Sequence, residues 1–258
     1  MRQIFKAFRR RNDVASSQAQ GRPNDLRPDA PFYAIGDIHG CDDLLARLLS
    51  RIDPEHDQQL IFLGDYVDRG PESAAVLARL FEMSQRFGNR IVCLRGNHER
   101  MMCQFIEDPL GKGARWLVNG GTETLKSFGI TGIGRRPDAD AAMEACDALE
   151  HAMPEGMIAW LETLPLSWQS GNVWCAHAAM DPAMPPDDQK SNTILWGHPT
   201  FLDTARPDDI CVVHGHTIVP SPKNADSRIS IDTGAYRTGV LTAAHISTEK
   251  CAFIQERG

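Results

Sequence analysis

The sequence predicts an α/β fold: two mixed β-sheets packed face to face as a central sandwich, flanked by helices, with a helical insertion. Three observations predict it. Apolar runs of strand length at Phe32–Ile35, Leu60–Leu63 and Ile91–Leu94 alternate with amphipathic helical stretches. The interval from Gly111 to Leu164 reads as helical with no strong strand. Short strands then return in hairpin-like succession at Val173, Ile210, Arg228–Asp232, Val240–Ile246 and Cys251–Gln255. Early alternation supplies parallel strands with helices outside, and the late strands extend and close the sheets.

The elements follow in order. Asp42 or Asp43 can cap a helix to about Arg51, with Leu44, Leu45, Leu48 and Leu49 on one face. Pro71 suits the first turn of a helix over Glu72–Arg86, striped by Val76, Leu77, Leu80 and Phe81. A third helix begins at Asn97 and carries Met101, Met102, Phe105 and Ile106 as core fillers. Gly120-Gly121 and Gly132-Ile133-Gly134 break the helical insertion.

The chain has 258 residues, ordinary apolar and charged fractions, and a net charge of -7. This suits a single globular domain and speaks against non-specific nucleic-acid binding, which needs a basic surface. Seven Cys, an odd number with no Cys-x-x-Cys pair, lie mostly in apolar runs, as expected of core residues in a reducing cytoplasm. The first thirty residues differ from the rest. Met1–Arg11 is basic with interleaved Ile4, Phe5 and Phe8, and a polar, Pro-containing stretch follows. Residues 1–30 read as a flexible basic tail able to touch an anionic membrane surface weakly, and residues 31–258 as the domain, expected to be monomeric.

Three motifs carry the chemistry: Gly36-Asp37-Ile38-His39-Gly40, Gly64-Asp65-Tyr66-Val67-Asp68-Arg69-Gly70 and Gly96-Asn97-His98-Glu99. Each follows a predicted strand and opens on a Gly that lets the chain turn as it leaves the sheet. Each then offers hard or borderline metal ligands in Asp37, His39, Asp65 and Asn97, suited to Mn²⁺, Fe or Zn²⁺. Strand ends that deliver such ligands side by side are what a two-metal hydrolytic site requires. Two further apolar runs end in His177 and in His214-Gly215-His216.

With these motifs the chain resembles the calcineurin-like metallophosphoesterase superfamily over roughly Pro31–Gln255. More narrowly it is similar to PPP-type serine/threonine protein phosphatases of the bacterial and lambda-phage branch. The stretch Trp116, Asn119, Gly120-Gly121 is also similar to one common in that branch. The resemblance implies the calcineurin-like four-layer fold and two divalent metal ions, with Mn²⁺ expected and Fe or Zn²⁺ compatible. Asp37, His39 and Asp65 would hold the first ion, and Asp65, Asn97, His177 and His216 the second. His216 is chosen over His214 because the family ligand follows the Gly. A metal-bridging hydroxide would attack phosphorus in line, with no covalent phosphoenzyme and no Cys nucleophile. His98 would be the general acid, Asp68 its orienting partner and Arg69 the phosphate grip. Arg95 is expected to be structural.

One departure stands out. The branch usually carries a second phosphate-binding Arg after a Leu-Trp pair. Here Leu195-Trp196 is followed by His198 at that place, with Arg206 as a nearby substitute. Ile231–Ala235 reads as structure first, with Tyr236 as a pocket wall. The expected substrate is a phosphorylated protein or a small phosphoester. The rival enzyme reading is a symmetrical dinucleoside tetraphosphatase, which usually shows Gly-Asn-His-Asp and Ala before Arg-Gly, where this chain has Glu99 and Asp68. A non-catalytic metal-binding scaffold is the remote alternative.

Overall fold

The computed structural model describes residues 25–52 and 57–258. Its elements are β1 (Phe32–Ile35), α1 (Asp42–Ile52), β2 (Gln59–Phe62), α2 (Ser73–Phe87), β3 (Ile91–Cys93), α3 (Asn97–Glu107), α4 (Ala114–Trp116), α5 (Thr122–Ser127), α6 (Ala139–Ala152) and α7 (Met157–Thr163). There follow β4 (Ser167–Ser170), β5 (Val173–Ala176), α8 (Ser191–Trp196), β6 (Cys211–His214), β7 (Lys223–Ala225), β8 (Arg228–Ser230), α9 (Ala235–Thr238), β9 (Val240–Ile246) and β10 (Cys251–Arg257).

Two five-stranded sheets form, in the orders β10-β9-β1-β2-β3 and β4-β5-β6-β8-β7. In each, three strands run parallel (β1, β2, β3 and β5, β6, β8) and antiparallel strands extend them. Alternation along each strand splits the core. Phe32, Ala34, Ile61, Leu63, Val173, Cys175, Val213 and Ile229 fill the space between the sheets. Ile35, Leu60 and Phe62 face outward, into the layer formed by α1, α2, α3 and the helical insertion. On the far side Trp174, Ala176 and Val212 pack on Ile194 of α8 and on Phe201. The result is the expected four-layer sandwich.

Several boundaries shift. Asp42 stands inside α1, where its carboxylate accepts from Arg79 Nε and Nη2 at 2.7 and 2.6 Å, so it ties α1 to α2. The helix expected from Glu72 begins at Ser73, and Pro71 lies in the turn before it. Strands β4 and β7 were not expected. Residues 25–30 are docked: Leu26 is buried between the sheets, Arg27 N donates to Asn172 Oδ1 at 2.7 Å, and the Arg27 guanidinium pairs with Asp209. The expected division at Pro31 therefore falls inside a packed segment. The expected membrane contact of Met1–Arg11 lies outside the described residues. Among the described residues no helix is long and apolar enough to cross a membrane.

Candidate metal centre

The site is built where β1, β2, β3, β5 and β6 end. Asp37 and His39 follow β1, Asp65 to Arg69 follow β2, Asn97 and His98 open α3 after β3, His177 follows β5, and His216 follows β6. These are the carboxyl ends of parallel strands, where open sheets place their ligands. Five of these residues hold left-handed backbone angles: His39 (φ 46°), Asp65 (53°), Asp68 (73°), Arg69 (69°) and His216 (62°). Such conformations are uncommon for residues with a Cβ and aim side chains that a regular turn would not.

Glu99 braces the strained Asp65 turn. Its buried carboxylate accepts from the backbone N–H of Asp65 (2.9 Å), Tyr66 (2.7 Å), Val67 (3.3 Å) and Gly96 (2.9 Å). Burial, joined by the Asp65 charge, pushes Glu99 up to about 7 against these donors. A Cβ on Gly96 would run into the Asp65 carboxylate and backbone nitrogen, so only Gly lets β3 exit this close to the β2 turn.

Asp65 is central. Its Oδ2 lies 3.4 Å from His39 Nε2, and its Oδ1 lies 3.3 Å from His177 Nε2. His177 Nε2 in turn lies 2.9 Å from Asn97 Oδ1 and 3.2 Å from His216 Nδ1. Two groups share Asp65: His39, Asp65 and His98 on one side, and Asp65, His177 and His216 on the other. Asp37 turns both oxygens to the backbone N–H of His216, at 3.0 and 3.1 Å. The imidazole tautomers are fixed from behind. His39 Nδ1 donates to Val67 O (2.7 Å) and His177 Nδ1 to Leu63 O (3.0 Å), which leaves both Nε2 lone pairs facing the cluster.

The donor set fits divalent cations. Atoms ~2.0–2.2 Å from one ion stand ~2.9–3.6 Å apart around an octahedral or tetrahedral centre, matching the separations around Asp65 and His177. The lone pairs of His177 Nε2, Asn97 Oδ1 and Asp65 Oδ1 face one another, an arrangement a cation relieves. Burial pushes His177 down to about 4 and lowers His216, so both imidazoles stay neutral and able to ligate. Burial, with Asp232 and Asp65 adding to it, lifts Asp37 well above the carboxylate range. Burial alone would lift Asp65 too, but His177, His98 and His39 outweigh it and hold Asp65 well below that range. The donors are oxygen and nitrogen only, which suits Mn²⁺, Fe or Zn²⁺.

Beside the cluster, His98 Nδ1 donates to Asp68 Oδ2 at 2.5 Å. Asp68 is fully buried and also accepts from Trp116 Nε1 (3.0 and 2.9 Å to its two oxygens) and Thr124 Oγ1 (2.7 Å). Burial opposes the charged imidazolium of His98, but Asp65 and Asp68 outweigh it and raise His98 above its ordinary value. Arg69 donates from Nη1 to His39 Nε2 (2.7 Å) and from Nη2 to His98 Nε2 (2.9 Å), with its guanidinium 5.0 Å from the centre of the Tyr236 ring. Tyr236 also lies edge-on to His39, with ring centroids 5.2 Å apart.

Two expected residues stand elsewhere. His198 turns to Thr200 Oγ1 (3.1 Å) and Asp181 Oδ2 (3.5 Å), not to the cluster. Arg206 is buried and occupied, donating to Asp208, Asp181 O and Met184 O, so it cannot serve as a substitute phosphate grip. His214 lies on the outer face of β6, one residue out of phase with Val213. Its nitrogens are taken by Ser230 Oγ (2.7 Å) and Gly215 O (3.0 Å). Arg95 is structural, as expected, donating to the Leu161 and Glu162 carbonyls at the end of α7. Sequence reasoning missed Thr124, took Asp232 only as part of the structural stretch Ile231–Ala235, gave Trp116 no role, and used Glu99 only as a family marker. Burial pushes Cys41 and Cys103, the cysteines nearest the motifs, up to about 11, which disfavours the thiolate.

Comparison with known proteins finds relatives of this chain among phosphatases and tetraphosphatases. The chain is 26% identical to a symmetrical bis(5'-nucleosyl)-tetraphosphatase of Neisseria meningitidis, over 88% of this chain and 96% of that one. It is 38% identical to serine/threonine-protein phosphatase 1 of Salmonella typhimurium, over 34% of this chain and 38% of that one. A Caenorhabditis elegans relative named as a serine/threonine-protein phosphatase is 48% identical over 76 residues, which are 30% of this chain and only 21% of that one. Among solved structures, one described as a diadenosine tetraphosphatase superposes with a TM-score of 0.60 at 19% identity, covering 91% of this chain and 99% of that one. A serine/threonine phosphatase from Saccharomyces cerevisiae gives 0.57 at 16% identity, covering 90% and 81%. The profile of the calcineurin-like phosphoesterase family matches residues 30–239, and the chain belongs to that family.

Proposed function

We propose that the chain is a dinuclear-metal phosphomonoesterase that hydrolyses phosphoserine- and phosphothreonine-type esters. The observation that carries this reading is the shared Asp65, whose two oxygens face different ligand groups at 3.4 and 3.3 Å. Asp37, His39, Asp65, Asn97, His177 and His216 would hold the ions. When bound, a metal pair supplies an activated water and polarises the phosphoryl group.

The chain's own residues do the rest. His98 gives its proton to the departing alkoxide oxygen. Asp68, fixed by Trp116 and Thr124, aligns the imidazole and favours its charged form. Arg69 leaves the two Nε2 atoms and grips the phosphoryl oxygens, which frees His98 Nε2 to carry the proton. Tyr236 backs the guanidinium and walls the pocket.

A second reading, dinucleoside tetraphosphate hydrolysis, is favoured by the near full-length match to the Neisseria protein. Asp68 and Glu99 favour the first. Phosphopeptide, aryl phosphate and diadenosine tetraphosphate assayed side by side with Mn²⁺, and again after chelation, test both. We expect phosphopeptide to turn over faster than dinucleotide, and all activity to vanish on chelation. Dinucleotide turnover tenfold above phosphopeptide would select the second reading. No turnover with metal present would leave a binding scaffold.

A further inference from the structure

A cavity of about 310 Å³ between α3, α4 and α8 is lined by Arg100, Gln104, Arg115, Ser191, Asn192, Leu195 and Trp196. Three elements form it, and each connects to the site. Arg100 is three residues after Asn97 on α3, a spacing that puts both on one helix face, ~5–6 Å apart at Cβ. Arg115 precedes Trp116, whose indole holds Asp68. On α8, Ile194 O accepts from Ala178 N at 2.8 Å, next to His177.

Charge sets the pocket's chemistry. Neither guanidinium has a carboxylate within ion-pair distance among the described residues, although acidic residues outnumber basic ones in this chain by 34 to 27. Arg115 is held over the Trp196 ring, 4.3 Å from its centroid, which orders the planar fork. Ser191, Asn192 and Gln104 add hydrogen-bonding groups.

We propose that this pocket binds a second anionic group of the substrate, a carboxylate or phosphate beyond the scissile phosphoryl. Arg100 and Arg115 would be the residues that select for it. The inference rests on the phosphoesterase reading and adds the substrate class: an ester flanked by further negative charge. Acidic side chains next to a phosphorylated residue and the remaining phosphates of a polyphosphate share this chemistry.

Binding tests the pocket independently of turnover. Dye-labelled peptides with a non-hydrolysable phosphonate in place of phosphoserine, flanked by Glu, Gln or Lys, are titrated by fluorescence anisotropy. A methylene-bridged diadenosine tetraphosphate competes in a parallel arm. Charge-assisted hydrogen bonds of ~1.5–3 kcal/mol correspond to about tenfold or more in affinity. The unaltered protein should bind the Glu-flanked peptide, the bridged dinucleotide, or both, at least tenfold tighter than the Gln-flanked peptide, and the arm that does so identifies the anion's source. Arg100→Gln/Arg115→Gln should erase the difference, and Arg100→Glu/Arg115→Glu should turn preference toward the Lys-flanked peptide. No preference in the unaltered protein, or an equal loss on every probe in the variants, overturns the proposal. Turnover of aryl phosphate by the same preparation reports separately on the phosphoesterase reading.

Discussion

Replacing Asp68 by Asn tests the proton-transfer role with little change of shape. Oδ2 of Asp68 receives His98 Nδ1 and Trp116 Nε1, and Oδ1 receives Trp116 Nε1 and Thr124 Oγ1. An Asn has one accepting oxygen. Its amide nitrogen takes the Oδ1 place, where the Thr124 hydroxyl can rotate to accept and Trp116 Nε1 keeps only its bond to the other oxygen, because His98 and Trp116 both donate. The Asn oxygen thus stays on His98, and the imidazole keeps its place while losing a neighbouring charge. A charge-assisted hydrogen bond exceeds a neutral one by ~1–2 kcal/mol, or ~1 pKa unit for His98.

The sign follows. His98 is raised in the folded protein, and a general acid acts only while protonated, so turnover of a poor leaving group holds below the raised pKa and falls above it. Asp68→Asn should move that fall about one unit toward lower pH. The assay is kcat against pH for a phosphoserine peptide and for p-nitrophenyl phosphate, whose leaving group needs no proton. His98→Ala should cost ~10²–10⁴ on the peptide and far less on the nitrophenyl ester. Equal losses on the two substrates, or an unmoved alkaline limb in Asp68→Asn, would refute the assignment.

Four further outcomes are expected. Metal-free protein should be inactive and recover with Mn²⁺, checked by elemental analysis beside the assay. Asp65→Asn should weaken both ions at once, so metal counting on the purified variant should find well under two per chain. Deleting residues 1–30 should leave the protein ~2–3 kcal/mol less stable than deleting 1–24, through loss of buried Leu26, read by urea denaturation of the two truncated proteins. His214, pushed down to about 4 by burial, binds its proton more weakly folded than unfolded, so its contribution falls as pH drops from 6.5 toward 4. The stability gap between the unaltered protein and His214→Asn should shrink by ~2 kcal/mol between pH 8 and 5.

The turns carrying Asp37, Asp65 and Asn97 were legible because each follows a continuous apolar run and opens on Gly. The start of α3 at Asn97 and the whole of β9 fell where the pattern put them. What escaped did so for physical reasons. Strand β4 reads Ser-Trp-Gln-Ser, with one large apolar residue, Trp168, whose ring meets Phe32 edge-on at 4.8 Å across the sandwich. Strand β7 is joined to β8 through Asp226 and Ser227, both with positive φ (56° and 64°), a tight hairpin turn made without the Gly that usually marks one. The Asp68 cage needs Trp116 and Thr124, 48 and 56 residues away, a proximity no local pattern encodes. His198 held the expected position in the chain, but its loop turns the ring to Asp181.

Strain at the centre ties fold to function. Seven described residues other than Gly have positive φ. Two make the β7–β8 turn, and the other five are His39, Asp65, Asp68, Arg69 and His216. At ~1–3 kcal/mol each, their combined cost rivals the ~5–15 kcal/mol net stability of a typical domain. Local structure has to hold them, and the hydrogen bonds say how. Glu99 accepts three backbone N–H groups of the Asp65–Val67 turn, Ser73 Oγ and Thr124 Oγ1 accept from Asp68 N, and Asp37 accepts from His216 N. Each restraint uses a buried side chain that could otherwise have been apolar. A fold selected for stability alone would relax these turns and fill the space with Leu or Val. Keeping buried carboxylates, neutral imidazoles and left-handed turns together makes sense where positive charge arrives from outside the chain, and the donor groups that share Asp65 could hold such a charge.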